Sequence, residues 1–249
     1  MNGKVHLVGA GPGDPELLTL KAVKALRRAQ VILCDDLVHD DILAYANPAA
    51  RIVRVGKRGG KASTSQKFII RLMIAEARAG LAVVRLKGGD PMIFGRGGEE
   101  CEALRDAGVD FEVVNGITSG LAAATAIGIA LTHRDLCHGV ALVTGTSNDW
   151  AALARSGLPL VIYMGVSHAG DIAQALIGAG LAPETPAAAI SNASRADELS
   201  VVTSLKRLEL EMTRAGIASP AILIVGAIAS LASSGRCEVP EEIQQHLRG

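Results

Sequence analysis

The sequence predicts an α/β protein of two domains, the first built on a mostly parallel sheet and the second on a mixed one. Three observations carry that expectation. Short β-branched runs alternate with helical patterns through the first half, Gly-rich loops close several of those runs, and the pattern changes style after residues 131–138. The domains are accordingly placed at 1–134 and 135–249. At 249 residues the chain is near the upper size of a single core, so length alone does not separate one domain from two.

In the first half, Val5–Val8, Val31–Cys34, Ile52–Val55, Leu81–Leu86 and Phe111–Val114 read as strands. Between them Leu17, Leu18, Val23 and Leu26 recur at helical spacing, as do Ile69, Ile70, Met73, Ile74 and Ala77. Asp14, Pro15 and Glu16 supply an N-cap, a first-turn proline and a first-turn acid for the earlier helix. In the second half, strands are expected at Val140–Val143, Leu160–Tyr163, Ala187–Ile190, Leu199–Thr203 and Ala221–Val225. Helices are expected over Asp149–Ala154, His168–Ile177 and Leu205–Arg214. The run Val201-Val202-Thr203, followed closely by another strand, predicts antiparallel pairing there.

Composition excludes several function classes. Half of the residues are apolar (49%), yet no apolar run reaches the roughly 18 residues of a membrane helix. A strand-like KVHLVG begins almost at once with no leader pattern before it, so a soluble, cytoplasmic protein is expected. Lys plus Arg equals Asp plus Glu at 25 each and only 2% of residues are aromatic, which argues against nucleic acid as a partner. Cys34, Cys101, Cys137 and Cys237 are scattered with no CxxC, as buried thiols rather than a disulfide framework. The histidines lack metal-ligand spacing, and no metal is expected.

Four loops carry the chemistry. Gly9-Ala10-Gly11-Pro12-Gly13-Asp14 follows a strand as a dinucleotide fingerprint would, but Asp14 replaces the third glycine and Pro12 removes a backbone donor. GKRGGK at 56–61 lacks P-loop spacing; it is either a solvated basic loop or part of a site. Its place after one strand, with Asp35 after another, puts a carboxylate and the Lys57 ammonium on the same sheet rim, where ligands of open α/β sheets gather. Lys87-Gly88-Gly89-Asp90-Pro91 continues through Ile93 to Arg96 and Glu99-Glu100, with five glycines that let backbone approach a ligand closely. The two glutamates also suit the first turn of a helix, and Thr118 and Ser119 suit either an N-cap or ligand contact.

Taken together, GAGPGDPELLTL at 9–20, VGKRGG at 55–60, RLKGGDPMIFGRGGEE at 85–100, NGITSG at 115–120, LTHRD at 131–135 and YMG at 163–165 resemble the uroporphyrinogen-III C-methyltransferases of the tetrapyrrole methylase superfamily. The resemblance spans residues 4–226 and implies a homodimer with a cofactor in the cleft between its two domains. The implied cofactor is S-adenosyl-L-methionine, leaving as S-adenosyl-L-homocysteine. The implied substrate is a tetrapyrrole, methylated at C2 and C7 to give precorrin-1 and then precorrin-2. By motif, Pro12, Gly88, Gly89, Asp90, Ile93, Thr118, Ser119, Met164, Ala193 and Ala221 match cofactor contacts. Asp35 and Lys57 match proton acceptor and donor, while Arg96, Glu99, Arg134 and Met164 match the substrate site.

Physical chemistry agrees with that assignment. In-line transfer of a methyl group from a sulfonium to a pyrrole carbon asks the protein for alignment and exclusion of water rather than a covalent nucleophile. A proton must then leave, which is work for Asp35, Glu99 or an arginine-held water, with Arg96 also in the reacting set. Lys57, Arg58, Lys61, Arg96 and Arg134 offer a local basic rim to the substrate's carboxylates on a neutral chain. Two other readings stay open at this stage: a sibling methylase acting on a later corrin intermediate, and a cofactor-binding protein without activity.

Overall fold

The computed structural model describes residues 3–56 and 64–232, which form two compact units, Met1–Ser119 and Gly120–Gly249. The division falls after Ser119 rather than at 134/135. The reason is packing: Ala123, Ala124, Ile127 and Ile129 are buried in one core with Val161, Ile190 and Ile224 of the second sheet.

The first unit carries β1 (Val5–Gly9), α1 (Leu20–Arg28), β2 (Val31–Cys34), β3 (Arg51–Arg54), α2 (Gln66–Arg78), β4 (Val83–Lys87), α3 (Gly97–Asp106) and β5 (Phe111–Val114). Its strands lie in the order β3-β2-β4-β1-β5, and all four pairings are parallel. Parallel strands end on the same edge, so the loops after β1, β2, β4 and β5 all emerge together.

Two apolar layers cover this sheet. α1 contributes Ala22, Ala25 and Leu26 to one face, against Val8, Ile32, Val84 and Leu86. α2 and α3 contribute Ile69, Met73, Ala77, Cys101 and Leu104 to the other, against Val5, Leu7, Leu33 and Val83. The neighbours β1 and β4 are thus followed by helices on opposite faces. That is a topological switch point, and their two loops border its crevice. Asp14, Pro15 and Glu16 do cap a helical turn, but it is a separate 3-10 turn over Pro15–Leu17. α1 starts afresh, with the Thr19 hydroxyl accepting from the amide of Ala22 at 3.1 Å.

The second unit holds α4 (Ser119–Ala126, whose first residue closes the first unit), β6 (Ala141–Thr144), α5 (Trp150–Arg155), β7 (Leu160–Tyr163), α6 (Ala169–Gly178), β8 (Pro186–Ser191), β9 (Leu199–Ser204), α7 (Leu208–Arg214) and β10 (Ala221–Val225). Its order is β6-β7-β10-β8-β9, parallel at β6–β7 and antiparallel at the other pairings, as expected of a mixed sheet. β9 is antiparallel as its sequence suggested, but its partner is the preceding β8. The following strand instead pairs with β7 and β8, because α7 intervenes and carries the chain back across the sheet. Among the described residues no helix is long and apolar enough to cross a membrane.

Candidate active site

At the switch point of the first unit, three loops are knitted together by backbone and one carboxylate. Gly11 donates to Gly89 O at 3.1 Å and Gly89 donates to Gly11 O at 2.7 Å, while the amide of Ala10 reaches Lys87 O at 2.7 Å. Gly11 and Gly89 have φ of +73° and +65°, conformations that admit glycine at little cost. Asp90 is buried, and its Oδ2 accepts from Asn115 Nδ2 and the Gly116 amide at 3.1 Å each. Its Oδ1 accepts from the Met92 amide at 2.8 Å. The Asp90 side chain therefore ties the loop after β4 to the loop after β5.

Asp35 stands at the carboxyl end of β2, its amide donating to Leu86 O at 3.0 Å. Its side chain is about one-third exposed, with Oδ1 accepting from the Asp36 amide at 3.0 Å and Oδ2 from Arg85 at 3.3 Å. Lys57, its expected partner, lies outside the described residues, as do Arg58 and Lys61. Arg96 precedes α3 in a left-handed conformation, φ +57°, and its guanidinium grips Glu99 through two hydrogen bonds of 2.7 Å. Those bonds hold the Glu99 carboxyl below its ordinary value. Ile93 lies between Met92 and Phe94 on the exposed part of the same loop.

The sequence suits both Glu99 and Glu100 to capping, yet the two have different fates. Glu99 is exposed on Arg96, whereas Glu100 is fully buried and receives Gln66 Nε2 at 2.9 Å, Arg85 Nε at 3.1 Å and Lys87 Nζ at 3.2 Å. Burial, and then the neighbouring Arg85 charge, push the Lys87 ammonium below its ordinary value, against the pull of Glu100. This buried cluster went unnoticed in the sequence. Its signal was present: Arg85 and Lys87, two apart, share one face of a strand that is buried throughout, where a charge requires a partner.

In the second unit the remaining expected residues gather at one sheet edge. Met164 follows β7 and Ala193 follows β8, while antiparallel β10 opens at Ala221, paired with Ser191 and one residue from the Ile222–Tyr163 pair. Met164, Asn192 and Ser194 all take positive φ, at 55°, 49° and 68°. The Asn192–Ser194 turn is held from downstream: Glu198 accepts from the Ser194 amide at 2.7 Å, and Asp197 accepts from Asn192 Nδ2 at 3.0 Å. Arg134 is exposed on a turn closed by reciprocal His133–Cys137 backbone bonds of 3.1 and 2.9 Å.

The family model Tetrapyrrole (Corrin/Porphyrin) Methylases matches residues 4–209. The chain belongs to that family. Among its relatives is a protein of Pseudomonas aeruginosa named uroporphyrinogen-III C-methyltransferase, 55% identical over 233 residues that make up 92% of this chain and 95% of the relative. A siroheme synthase of Edwardsiella ictaluri is 45% identical over 92% of this chain, which spans 50% of that longer protein. Among solved structures, the uroporphyrin-III C-methyl transferase of Thermus thermophilus complexed with S-adenosyl homocysteine aligns with a TM-score of 0.79 at 44% identity, covering 91% of this chain and 98% of that one.

For this tetrapyrrole methylase, the structure thus brings the loop carrying Pro12 together with Gly88, Gly89, Asp90, Thr118 and Ser119 in the first unit, and Met164, Ala193 and Ala221 together in the second. Cys34, Cys101 and Cys137 are buried free thiols, and burial pushes Cys34 up to about 11. They are not suited to nucleophilic work.

Proposed function

We propose that this chain is an S-adenosylmethionine-dependent methyltransferase acting on uroporphyrinogen III, methylating C2 and then C7 to give precorrin-2 by way of precorrin-1. One observation carries the reading. The Arg85–Glu100 block folds into the knot of loops at the switch point of a chain that is 55% identical to a relative named for this activity.

The loop cluster suits the cofactor. A β-carbon at Gly89 would enter the space beside Ser119 N and Thr118 Cα, 3.7 Å from each, so the glycine leaves a cradle between two loops. The Lys87 ammonium nearby is paired with Glu100, so a bound sulfonium meets a compensated charge. When bound, S-adenosylmethionine supplies the methyl group as an electrophile. Pro12, Gly88, Gly89, Asp90, Ile93, Thr118, Ser119, Met164, Ala193 and Ala221 are the residues we assign to holding it.

For proton removal, the geometry favours Asp35 over Glu99. Arg96 holds both Glu99 oxygens in charge-assisted bonds of 2.7 Å and keeps that carboxyl below its ordinary value, which weakens it as a base, whereas Asp35 is part exposed and held by longer bonds of 3.0 and 3.3 Å. Arg96 and Arg134, with Lys57 as proton donor, are assigned to the substrate, whose carboxylates suit guanidinium recognition. We assign the protein to the cytoplasm as a homodimer on family resemblance.

Anaerobic incubation with uroporphyrinogen III and S-adenosylmethionine, followed by mass spectrometry, tests the reading. Singly and then doubly methylated products are expected. Binding of S-adenosylhomocysteine without any methylated product would overturn it.

A further inference from the structure

Arg85, in the buried cluster on β4, has no part in the steps above, yet it touches the proposed base. Arg85 is 2% exposed and every guanidinium nitrogen is engaged: Nε with Glu100, one terminal nitrogen with Leu33 O and Leu86 O at 3.3 and 3.4 Å, the other with Asp35 Oδ2 at 3.3 Å. The two carbonyls belong to adjacent strands, β2 and β4, so the planar group is keyed into the sheet itself.

We propose that Arg85, anchored by Glu100, is a positioning residue that fixes the Asp35 carboxylate at the substrate rim; the inference rests on Asp35 acting as the base. Asp35 is held from two sides. The Asp36 amide takes one oxygen and Arg85 takes the other, so the side chain cannot rotate without breaking a charge-assisted bond. Lys87 completes the arrangement. Two cations, Arg85 and Lys87, face two carboxylates, Glu100 and Asp35: both reach Glu100 Oε1, and a terminal nitrogen of Arg85 reaches Asp35.

Stability alone accounts poorly for this cluster. Burying an ion pair costs desolvation, and apolar side chains of similar volume commonly serve stability as well or better. Arg85 also lies on the face that Leu7, Leu33 and Val83 fill with apolar groups, where only its far end reaches the rim. The arginine spans from the core to the functional edge, which a hydrophobic residue cannot do.

A double-mutant cycle tests the proposal on the full chain. Turnover at saturating substrates, S-adenosylhomocysteine affinity by calorimetry and the unfolding midpoint are measured for Asp35→Asn, Arg85→Lys and the double variant. Lysine keeps the charge but lacks the planar fork whose separate nitrogens reach Glu100 and Asp35, so Arg85→Lys is expected to lower kcat by about 10–100-fold with S-adenosylhomocysteine affinity unchanged within roughly 2-fold. In the Asp35→Asn background the same change is expected to cost less than about 3-fold, because its target is already gone. An equal loss in both backgrounds would overturn the proposal, as would full kcat in Arg85→Lys. If Arg85→Lys does not fold, Glu100→Gln, which removes the anchor's charge but leaves Arg85 in place, runs the same cycle with the same expectations. Full turnover in Asp35→Asn overturns the base assignment and this inference together. A slow Asp35→Asn with unimpaired Arg85→Lys and Glu100→Gln overturns the inference alone.

Discussion

Charge at single residues behaves in this protein according to depth. Glu112 is partly exposed on β5 and accepts from Lys4 at 2.9 Å and from Lys21 of α1; hydrogen bonds from Lys21 and then Lys4 hold its carboxyl at about 2. The folded value lies below the ordinary 4.5, so the stabilising contribution is present above about pH 4.5 and is lost as pH falls toward about 2. Glu112→Gln is therefore expected to flatten the acid limb of stability in that window, with the gap from wild type closing near pH 2. Thermal melts across pH, repeated at high salt to screen this exposed cluster, check it. A gap that stays constant with pH would refute the assignment. Glu100, by contrast, is sealed from solvent and its pairs are beyond the reach of salt.

At the scale of elements, the site is a matter of how closely three loops approach. A β-carbon on Gly116 would stand 2.3 Å from Gly89 O and 2.8 Å from Gly9 C, both backbone atoms of the other two loops. No side chain can move aside there. Gly116→Ala is expected to cost about 1–3 kcal/mol by forcing these loops apart. It should also weaken S-adenosylhomocysteine binding, since the proposed cradle at Gly89 opens with them. Denaturant unfolding and calorimetry measure the two effects. Unchanged affinity in the face of lost stability would separate the knot from the cofactor site.

For the molecule as a whole, the balance of 25 basic and 25 acidic residues leaves no net charge to draw an anionic substrate from a distance. Under the proposed function, recognition of tetrapyrrole carboxylates then falls to short-range pairs such as those we assign to Arg96 and Arg134. Raising salt from about 0.05 to about 0.5 M, which shortens the Debye length from above to below roughly 10 Å, is expected to raise KM for the tetrapyrrole several-fold. KM for S-adenosylmethionine should barely change. Steady-state kinetics under anaerobic conditions decide it, and a parallel rise in both constants would place the effect elsewhere.

Strand positions were legible in the sequence because their cause is local. Val31–Cys34, Phe111–Val114, Leu160–Tyr163 and Ala221–Val225 read at their observed bounds, since β-branched runs closed by turn residues favour strands wherever they fall. The Gly-rich loops, and with them the family, were legible for the same reason. Only the tertiary structure decided who meets whom. It paired β9 with β8, assigned residues 120–134 to the second unit, turned the Asp90 side chain into a tie between loops, and buried Glu100 against a lysine and an arginine on another element. These outcomes depend on the order in which strands cross the sheet and on which helical face turns inward. Periodicity along one segment carries no information about its partner.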